Sequence, residues 1–260
     1  MDISDVVDNV SGDLREGVAA SLEVADPASY ASQWWHSLGT DARVNALIVA
    51  DHLEQVLPDD LRDFRRIVRE HSAVAPVNVV HVDGRTSTAL LYCIVEDGES
   101  LDEWEYDHFF LGGAPASSEV TRSSLFYGSL GGAFEDFYSQ VHNGFAVDIG
   151  FDGGGILAVE NLGTWNDRTG DGSPNDLSQS LLGEEPYVPD PNQMVIVFRG
   201  GGDTVFFVLD HPKDNWQHSG GSFFFYPELS KSGRRITPMV LIERAILYSY
   251  LDYTVPMPFE

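Results

Sequence analysis

Glycines that interrupt two apolar stretches, residues 134–165 and 195–210, constrain the fold of this chain more than any other feature. The first stretch opens with apolar residues at helical spacing, namely Phe134, Phe137, Tyr138 and Val141. Asn143 and Gly144 follow, and both tolerate the left-handed conformation in which helices commonly end. This order predicts a short amphipathic helix, a glycine-rich turn and then a hairpin closed by Gly200, Gly201 and Gly202.

The glycines lie between segments that are typical of strands. Strands are predicted over residues 145–149 and 156–159, and over 194–198 and 204–209 on either side of the triple glycine. A phosphate-binding loop instead places its glycines before a helix, so that the first N–H groups point at the anion. We therefore expect these glycines to form turns of a sheet, and we expect no nucleotide site.

The N-terminal part of the chain shows mostly helical spacing. One apolar face of a first helix comprises Ile3, Val6, Val7 and Val10, and the spacing continues beyond Gly12 through Leu14, Val18 and Leu22. Further helices are predicted over residues 29–35, after a cap at Thr40 or Asp41, and after Pro58. The buried face expected for the helix after residue 41 consists of Ala46, Val49, Ala50, Leu53, Val56 and Leu57.

Alternating apolar residues then predict strands. Residues 77–82 and 89–95 flank an Asp83-Gly84 turn, which predicts a hairpin. Residues 96–107 carry many acids around Trp104, and they form either a solvated surface or a partner-binding patch. Residues 164–192 are predicted to be mostly loop, followed later by a strand at 222–226 and a helix over 238–252.

The charge of the chain limits the partners it can bind. It has 41 acidic and 15 basic residues and a formal net charge of −26. Such a field repels nucleic acid and anionic membranes and attracts basic proteins. Solubility, or adaptation to a salty cytoplasm, is an equally open explanation. The acidic N-terminus lacks the features of a signal peptide and no apolar run is long enough for a membrane span, so we expect a cytoplasmic location.

Residue patterns for catalysis are incomplete. Cys93 is the single cysteine, and Ser129 lacks the preceding glycine of a nucleophile elbow because Tyr127 occupies that position. The eight histidines have no metal-ligand spacing. Asp167 and Asp171 resemble the start of a calcium loop, but the closing glutamate is replaced by Ser178. We therefore predict no cofactor and no metal site, with a calcium-assisted hydrolase using Asp167 and Asp171 as a weaker alternative.

Four segments in order resemble the SUKH superfamily of bacterial immunity proteins and fungal regulators of cell-wall synthesis. They are FYSQVHNGF, GGGILAVENLG, FRGGGDTVFFVLD and the final ERAILYSYLD. The resemblance implies an α+β fold in residues 116–260, with a mixed central sheet flanked by helices. Residues 1–115 are predicted to be a mainly helical region with one hairpin, although the two parts can equally form one continuous domain.

The resemblance also implies a protein that works by binding. We expect an immunity protein, or antitoxin, that occludes the active site of a cognate toxin such as a nuclease, with no enzyme activity of its own. A regulatory scaffold that binds endogenous partners is the alternative. Aromatic residues favour interface cores and acids favour a basic partner, so the predicted contact residues are Trp104, Trp165, Asp167, Asp171, Glu184, Glu185 and Asp203. Asp203 can equally serve the turn after the triple glycine.

Overall fold

A computed structural model describes the protein over most of its N-terminal half and over shorter segments beyond. The described residues are 1–11, 21–30, 32–95, 108–130, 132–147, 154–164, 194–199, 204–208, 217–219 and 222–225, together with Met239, Glu243, Ile246 and Leu247. Within these ranges the protein is an α+β fold built on one sheet of 11 strands.

The sheet is mostly antiparallel. Its strands are β1 (Ser21–Val24), β2 (Ser72–Val80), β3 (Thr86–Ile94), β4 (His108–Gly113), β5 (Phe145–Val147), β6 (Gly154–Ile156), β7 (Gly163–Thr164), β8 (Met194–Arg199), β9 (Thr204–Val208), β10 (Gln217–Ser219) and β11 (Ser222–Phe225). The spatial order is β1-β2-β3-β4-β5-β6-β8-β9-β11-β10, and β7 also pairs with β8. Among these pairs only β9 and β11 run parallel, so the sheet is mixed.

Helices cover both faces of the sheet. They are α1 (Ile3–Ser11), α2 (Ala42–Val56), α3 (Arg62–His71), α4 (Ser118–Ser123) and α5 (Gly132–Asp136), and a π-helical turn, Phe137–Val141, extends α5. Side chains alternate between the two faces of a strand, so β3 sends Leu90 and Tyr92 to one face and Leu91 and Cys93 to the other. One face packs against α2, α3 and α5, and the opposite face packs against α1.

The predicted apolar face of α1 is confirmed. Ile3, Val6, Val7 and Val10 are all buried in the core on the α1 side of the sheet. The continuation of this helix to Leu22 is wrong, because Leu22 lies in β1 and pairs with Val79 of β2. A four-residue strand that completes the edge beside β2 outcompetes the helical spacing, since its backbone groups pair with the sheet.

Helix α2 begins where the sequence predicts. The carboxylate of Asp41 accepts hydrogen bonds from the N–H groups of Arg43 and Val44, which satisfies two donors of the first turn. On the buried face, Ala46, Val49, Ala50 and Leu53 pack into the core, with Leu57 just beyond the helix. The predicted helix over 29–35 is instead two 3-10 turns, Pro27–Ser29 and Gln33–Ser37, since Pro27 begins one short turn and the chain leaves it at Tyr30.

Helix α3 begins later than Pro58 predicts. Leu61 adopts a left-handed conformation with φ of 52° and is buried, so the chain changes direction there before the helix starts at Arg62. The N-cap position therefore has no capping side chain of its own. The carboxylate of Glu243 takes that role by accepting a hydrogen bond from the N–H of Phe64 at 3.0 Å.

The hairpins are confirmed, with longer or shorter strands. β2 and β3 pair from Ser72 to Val80, beyond the predicted limits, and the turn contains Gly84 with φ of 80°. β8 and β9 form the hairpin expected around the triple glycine. Strand β6 ends at Ile156, because the 3-10 turn Val159–Asn161 replaces the predicted strand to Val159. The four residues described near the C-terminus fall within the helix predicted for 238–252, and Met239, Glu243, Ile246 and Leu247 are indeed helical.

The sheet runs across the predicted boundary at residue 115. β4 lies before it and pairs with β5, which lies after it. Residues 1–115 contribute the helices α1 to α3 and the strands β1 to β4. A mainly helical N-terminal region, the division into two domains and the SUKH likeness stay predictions.

Candidate functional site

The predicted contact residues lie outside the described residues. These are Trp104, Trp165, Asp167, Asp171, Glu184, Glu185 and Asp203. Residues 96–107, predicted to be either a solvated surface or a partner-binding patch, and residues 165–192, predicted to be mostly loop, lie outside the described residues as well. The surfaces that the structure does describe offer a different candidate.

Helix α2 presents apolar side chains to solvent on the face opposite the core. Val44 is 50% exposed and Leu47 is 44% exposed, and their spacing of three residues places them side by side. Asp51 lies one further turn along the same face, and His52 flanks it. We call these four residues together with Trp34 the α2 surface.

Two members of the α2 surface form an aromatic pair. The rings of Trp34 and His52 stack with centroids 4.2 Å apart and an interplanar angle of 17°. Trp34 Nε1 donates to the carbonyl oxygen of Gln140 at 2.9 Å, and His52 Nε2 lies 2.9 Å from the same oxygen. Gln140 lies in the last turn of the π-helical segment, where carbonyls have no further N–H of the helix to bind, so its oxygen can accept both bonds. Two side chains from different elements are thereby fixed in one orientation.

The tautomer of His52 follows from its partner. A carbonyl oxygen only accepts hydrogen bonds, so Nε2 of His52 carries the proton and Nδ1 presents a lone pair. Burial lowers the pKa of His52. The hydrogen bond to the backbone carbonyl of Gln140 acts in the opposite direction but is the smaller effect. Because both ring N–H donors bind Gln140, the pair offers only an acceptor and apolar ring surface to a partner.

Carboxylates lie within and beside the α2 surface. Arg69 of α3 binds Asp51 at 2.8 Å and Glu54 at 3.0 Å, so two acids share one cation. Asp136 accepts a hydrogen bond from the Gln140 side chain at 2.7 Å, next to the aromatic pair. The side chains of Asp51 and Glu54 remain 68% and 64% exposed, so this margin is acidic and open to solvent.

Arginines near α2 serve the fold. Arg65 donates to the carbonyls of Leu57 and Pro58, which follow the last turn of α2. Arg43 donates to the carbonyls of Ser72 and Glu70 at the end of α3. Cations at helix C-termini satisfy free carbonyls and offset the negative end of the helix dipole. The guanidinium groups of Arg43 and Arg65 therefore bind backbone carbonyls of the same molecule.

The His142 side chain is the centre of the FYSQVHNGF motif. It is buried between the aromatic rings of Tyr92, Phe137 and Phe145. Its Nδ1 lies 2.9 Å from the carbonyl oxygen of Gly113, so Nδ1 carries the proton, and Nε2 accepts from the Tyr92 hydroxyl at 2.6 Å. Burial is the main reason that the pKa of His142 falls to about 3. The imidazole is therefore neutral and joins the helix end to the sheet.

The next residues of this motif, Asn143 and Gly144, link the end of the helix to the segment that follows β6. Asn143 accepts a hydrogen bond from the N–H of Val159 at 2.8 Å and donates to Glu160 at 2.9 Å. Gly144 takes a φ of 88°, and Gly155 takes a φ of 151° at a place where an added Cβ would collide with the carbonyl oxygen of Phe145. These glycines permit close backbone approach in the sheet.

The other buried titratable groups of the described residues are part of the core. Burial raises the pKa of Tyr92, Tyr138 and the Cys93 thiol. Tyr138 donates its hydroxyl hydrogen to the carbonyl of Leu157 at 2.8 Å. Within the described ranges, no cluster of three or more histidine, cysteine or acidic residues has the arrangement of a metal site. No described helix has the length and apolar character needed to cross a membrane.

Comparisons with known proteins find no match, either among family models, among curated proteins or among solved structures. The resemblance to the SUKH superfamily therefore stays a prediction.

Sequence reasoning missed the α2 surface. It assigned Trp34 to a helix and selected the apolar positions of α2 that belong to its buried face. Val44 and Leu47 fall outside that spacing, and this deviation is the signal that could have identified them. The contact of Trp34 and His52 with Gln140 joins residues 88 or more apart in sequence, which local patterns do not predict.

Proposed function

We propose that this chain is a binding protein without catalytic activity, an immunity protein of the SUKH type that neutralises a basic protein toxin by occluding its active site. The observation that carries this proposal is the distribution of charge. The chain carries a net charge of −26, and Arg43, Arg65 and Arg69 are engaged by carbonyls or carboxylates of the same molecule. The acids that remain attract a cationic protein and raise its association rate.

The environment of the buried polar groups also supports a binding role. His142 and Tyr92 are hydrogen-bonded inside the core, and Cys93 is fully buried, so none of the three can meet a substrate. A nuclease binds the phosphates of its substrate in a basic groove. An acidic protein can occupy such a groove because its carboxylates mimic the negative charge of the phosphates. The α+β scaffold would then serve to hold an acidic surface rigid.

Co-expression tests the proposal. We expect the polypeptide encoded beside the gene of this chain to stop bacterial growth when it is expressed alone, and growth to recover when this chain is expressed with it. As a control, an unrelated acidic protein at equal abundance should give no recovery. If the neighbouring polypeptide is toxic to the same degree with and without this chain, the proposal fails.

A further inference from the structure

We infer that the α2 surface is a docking site for a protein with a basic, arginine-bearing surface around an apolar side chain. The inference rests on the proposed function, and it names the face of the molecule that would contact the toxin. Three features of the described residues carry it: exposed apolar area, a fixed aromatic pair and the polarity of the surrounding groups.

The exposed apolar part of this surface consists of two neighbouring side chains on α2. Val44 and Leu47 are adjacent on one helix face, whereas the other exposed large apolar side chains of the described residues, Val24, Val82 and Leu125, lie apart in the chain. Scattered exposed apolar residues are normal in soluble proteins, whereas aromatic residues are enriched at interface centres, and the same helix carries His52 of the aromatic pair. The α2 surface therefore has the composition expected for the centre of an interface.

The aromatic pair is fixed before any partner arrives. Trp34 and His52 are stacked and both bind the carbonyl of Gln140, so little side-chain freedom is lost on binding. Rigid tryptophans are among the residues that contribute most to interface energies. A partner guanidinium can also stack on the indole ring.

The polar groups around this surface select the charge of the partner. The N–H donors of Trp34 and His52 point to Gln140, which leaves the Nδ1 lone pair of His52 as an acceptor. Asp51 and Glu54 share the single cation of Arg69, which leaves one net negative charge at the margin, and Asp136 adds a carboxylate beside Gln140. A surface with an excess of acids over cations favours a partner that brings positive charge and hydrogen-bond donors, and arginine supplies both.

A second copy of this chain is a poorer fit for the same reason. Two α2 surfaces in contact would bring their acidic margins together, and each molecule carries a net charge of −26. Like charges facing each other across an interface are unfavourable. The surface therefore fits a basic partner better than itself.

A charge-matched pair of double variants tests this inference by calorimetry with the purified polypeptide encoded beside the gene. V44R/L47R places two cations on the α2 surface, and V82R/L125R makes the same change in net charge at two other exposed apolar positions, 72% and 87% exposed. We expect V44R/L47R to weaken binding by about 100-fold or more, and the control to bind within about threefold of wild type. The altered side chains are exposed, and circular dichroism should show that both variants remain folded.

The outcomes distinguish a wrong docking site from a wrong proposed function. If wild type binds the polypeptide and both double variants weaken binding equally, or neither does, the α2 surface is not the docking site and the proposed function stands. If wild type does not bind the polypeptide, both proposals fail. If sedimentation shows that wild type is a dimer and V44R/L47R a monomer, the surface is an interface between copies of this chain and the inference is wrong.

A second variant distinguishes the aromatic pair from the apolar residues. Trp34→Ala removes the indole but leaves the charge of the protein unchanged. We expect a loss of affinity of about tenfold or more, because the fixed ring then no longer contributes contact area. Unchanged affinity in this variant would limit the docking site to helix α2 and contradict a role for the pair.

Discussion

At the scale of single residues, His142 makes stability depend on pH. The buried imidazole stays neutral with a pKa of about 3, whereas the unfolded chain has the ordinary value of about 6.5. Below pH 6.5 the unfolded state binds a proton that the folded state does not, so the stability gained from this group is complete above pH 6.5 and is lost as the pH falls toward 3. The loss follows a slope of about 1.4 kcal/mol per pH unit.

The variant His142→Gln isolates this effect. At pH 7 we expect it to be less stable than wild type, since the glutamine amide replaces the ring imperfectly between Tyr92 and Gly113. The difference in unfolding free energy between wild type and variant should shrink by about 2 kcal/mol between pH 7 and pH 5, because only wild type takes up this proton on unfolding. Urea denaturation at both pH values measures it, and an equal difference at both would show that His142 is not held neutral.

Gly112 is a second residue whose identity follows from His142. A Cβ at this position would lie 2.4 to 2.6 Å from three atoms of the imidazole ring. Hydrogen bonds to Tyr92 and Gly113 hold that ring in place, so it has no easy way to move. We expect Gly112→Ala to lower the free energy of unfolding by about 2–3 kcal/mol.

A glycine in open space provides the control for that measurement. At Gly128 no heavy atom lies within 4 Å of the position that an added methyl group would take, so Gly128→Ala should change the free energy of unfolding by about 0.5 kcal/mol or less. Equal effects of the two substitutions in urea denaturation would contradict the close packing of His142 against β4.

At the scale of elements, the start of α3 depends on a distant acid. Glu243 accepts a hydrogen bond from the N–H of Phe64, while Leu61 at the N-cap has no side-chain acceptor. We expect Glu243→Ala to destabilise the protein by about 1 kcal/mol, the usual cost of losing a helix cap. Glu119→Ala, which removes an exposed acid from the first turn of α4, should have a smaller effect in the same thermal unfolding measurement. If both substitutions cost the same, the contact with Phe64 does not stabilise α3.

Elements with strong local patterns were predictable from the sequence. α1, the core of α2, the β2–β3 hairpin and the β8–β9 hairpin follow apolar periodicity and turn residues that act over a few positions. The starts of α3 and β1 were not predictable in this way, because Leu61 and Leu22 take conformations that tertiary packing imposes. Asn143 and Gly144 indicated where the helical segment formed by α5 and its π-helical turn ends. The role of His142 was not predictable, because it depends on a contact with Tyr92, fifty positions earlier.

The candidate site was less predictable than the fold. Sequence composition directed attention to acidic and aromatic residues such as Trp104 and Asp171, which lie outside the described residues. The α2 surface arises because Gln140 meets Trp34 and His52 in space. Exposure is also a property of the folded molecule, so the solvent-facing positions of Val44 and Leu47 require the packing of α2 on the sheet to be known.

At the scale of the whole molecule, the net charge of −26 predicts a stability that increases with salt. Repulsion among the acids opposes the compact state, and the screening length falls from about 10 Å at 0.1 M salt to about 3 Å at 1 M. We expect Tm to rise between 0.1 M and 1 M KCl by more than about 4 °C, which for a protein of this size corresponds to about 1–2 kcal/mol. Betaine at matched osmolality controls for solute exclusion, and a Tm that is unchanged or lower in KCl would contradict this prediction.

Binding of a basic partner should respond to salt in the opposite direction. Attraction between an acidic protein and a cationic one accelerates their association and is screened as ionic strength rises. Salt should therefore stabilise the free protein while it slows association with the partner. The acidic surface would then serve recognition at some cost in stability.

Calorimetric titration of this chain with the purified polypeptide encoded beside its gene tests the central claim most directly. We predict a complex of one molecule of each, with a dissociation constant in the nanomolar range at low salt and weaker binding as KCl is added. A titration without heat of binding at several temperatures, with no complex in sedimentation, would contradict the claim that this protein acts by neutralising a basic partner.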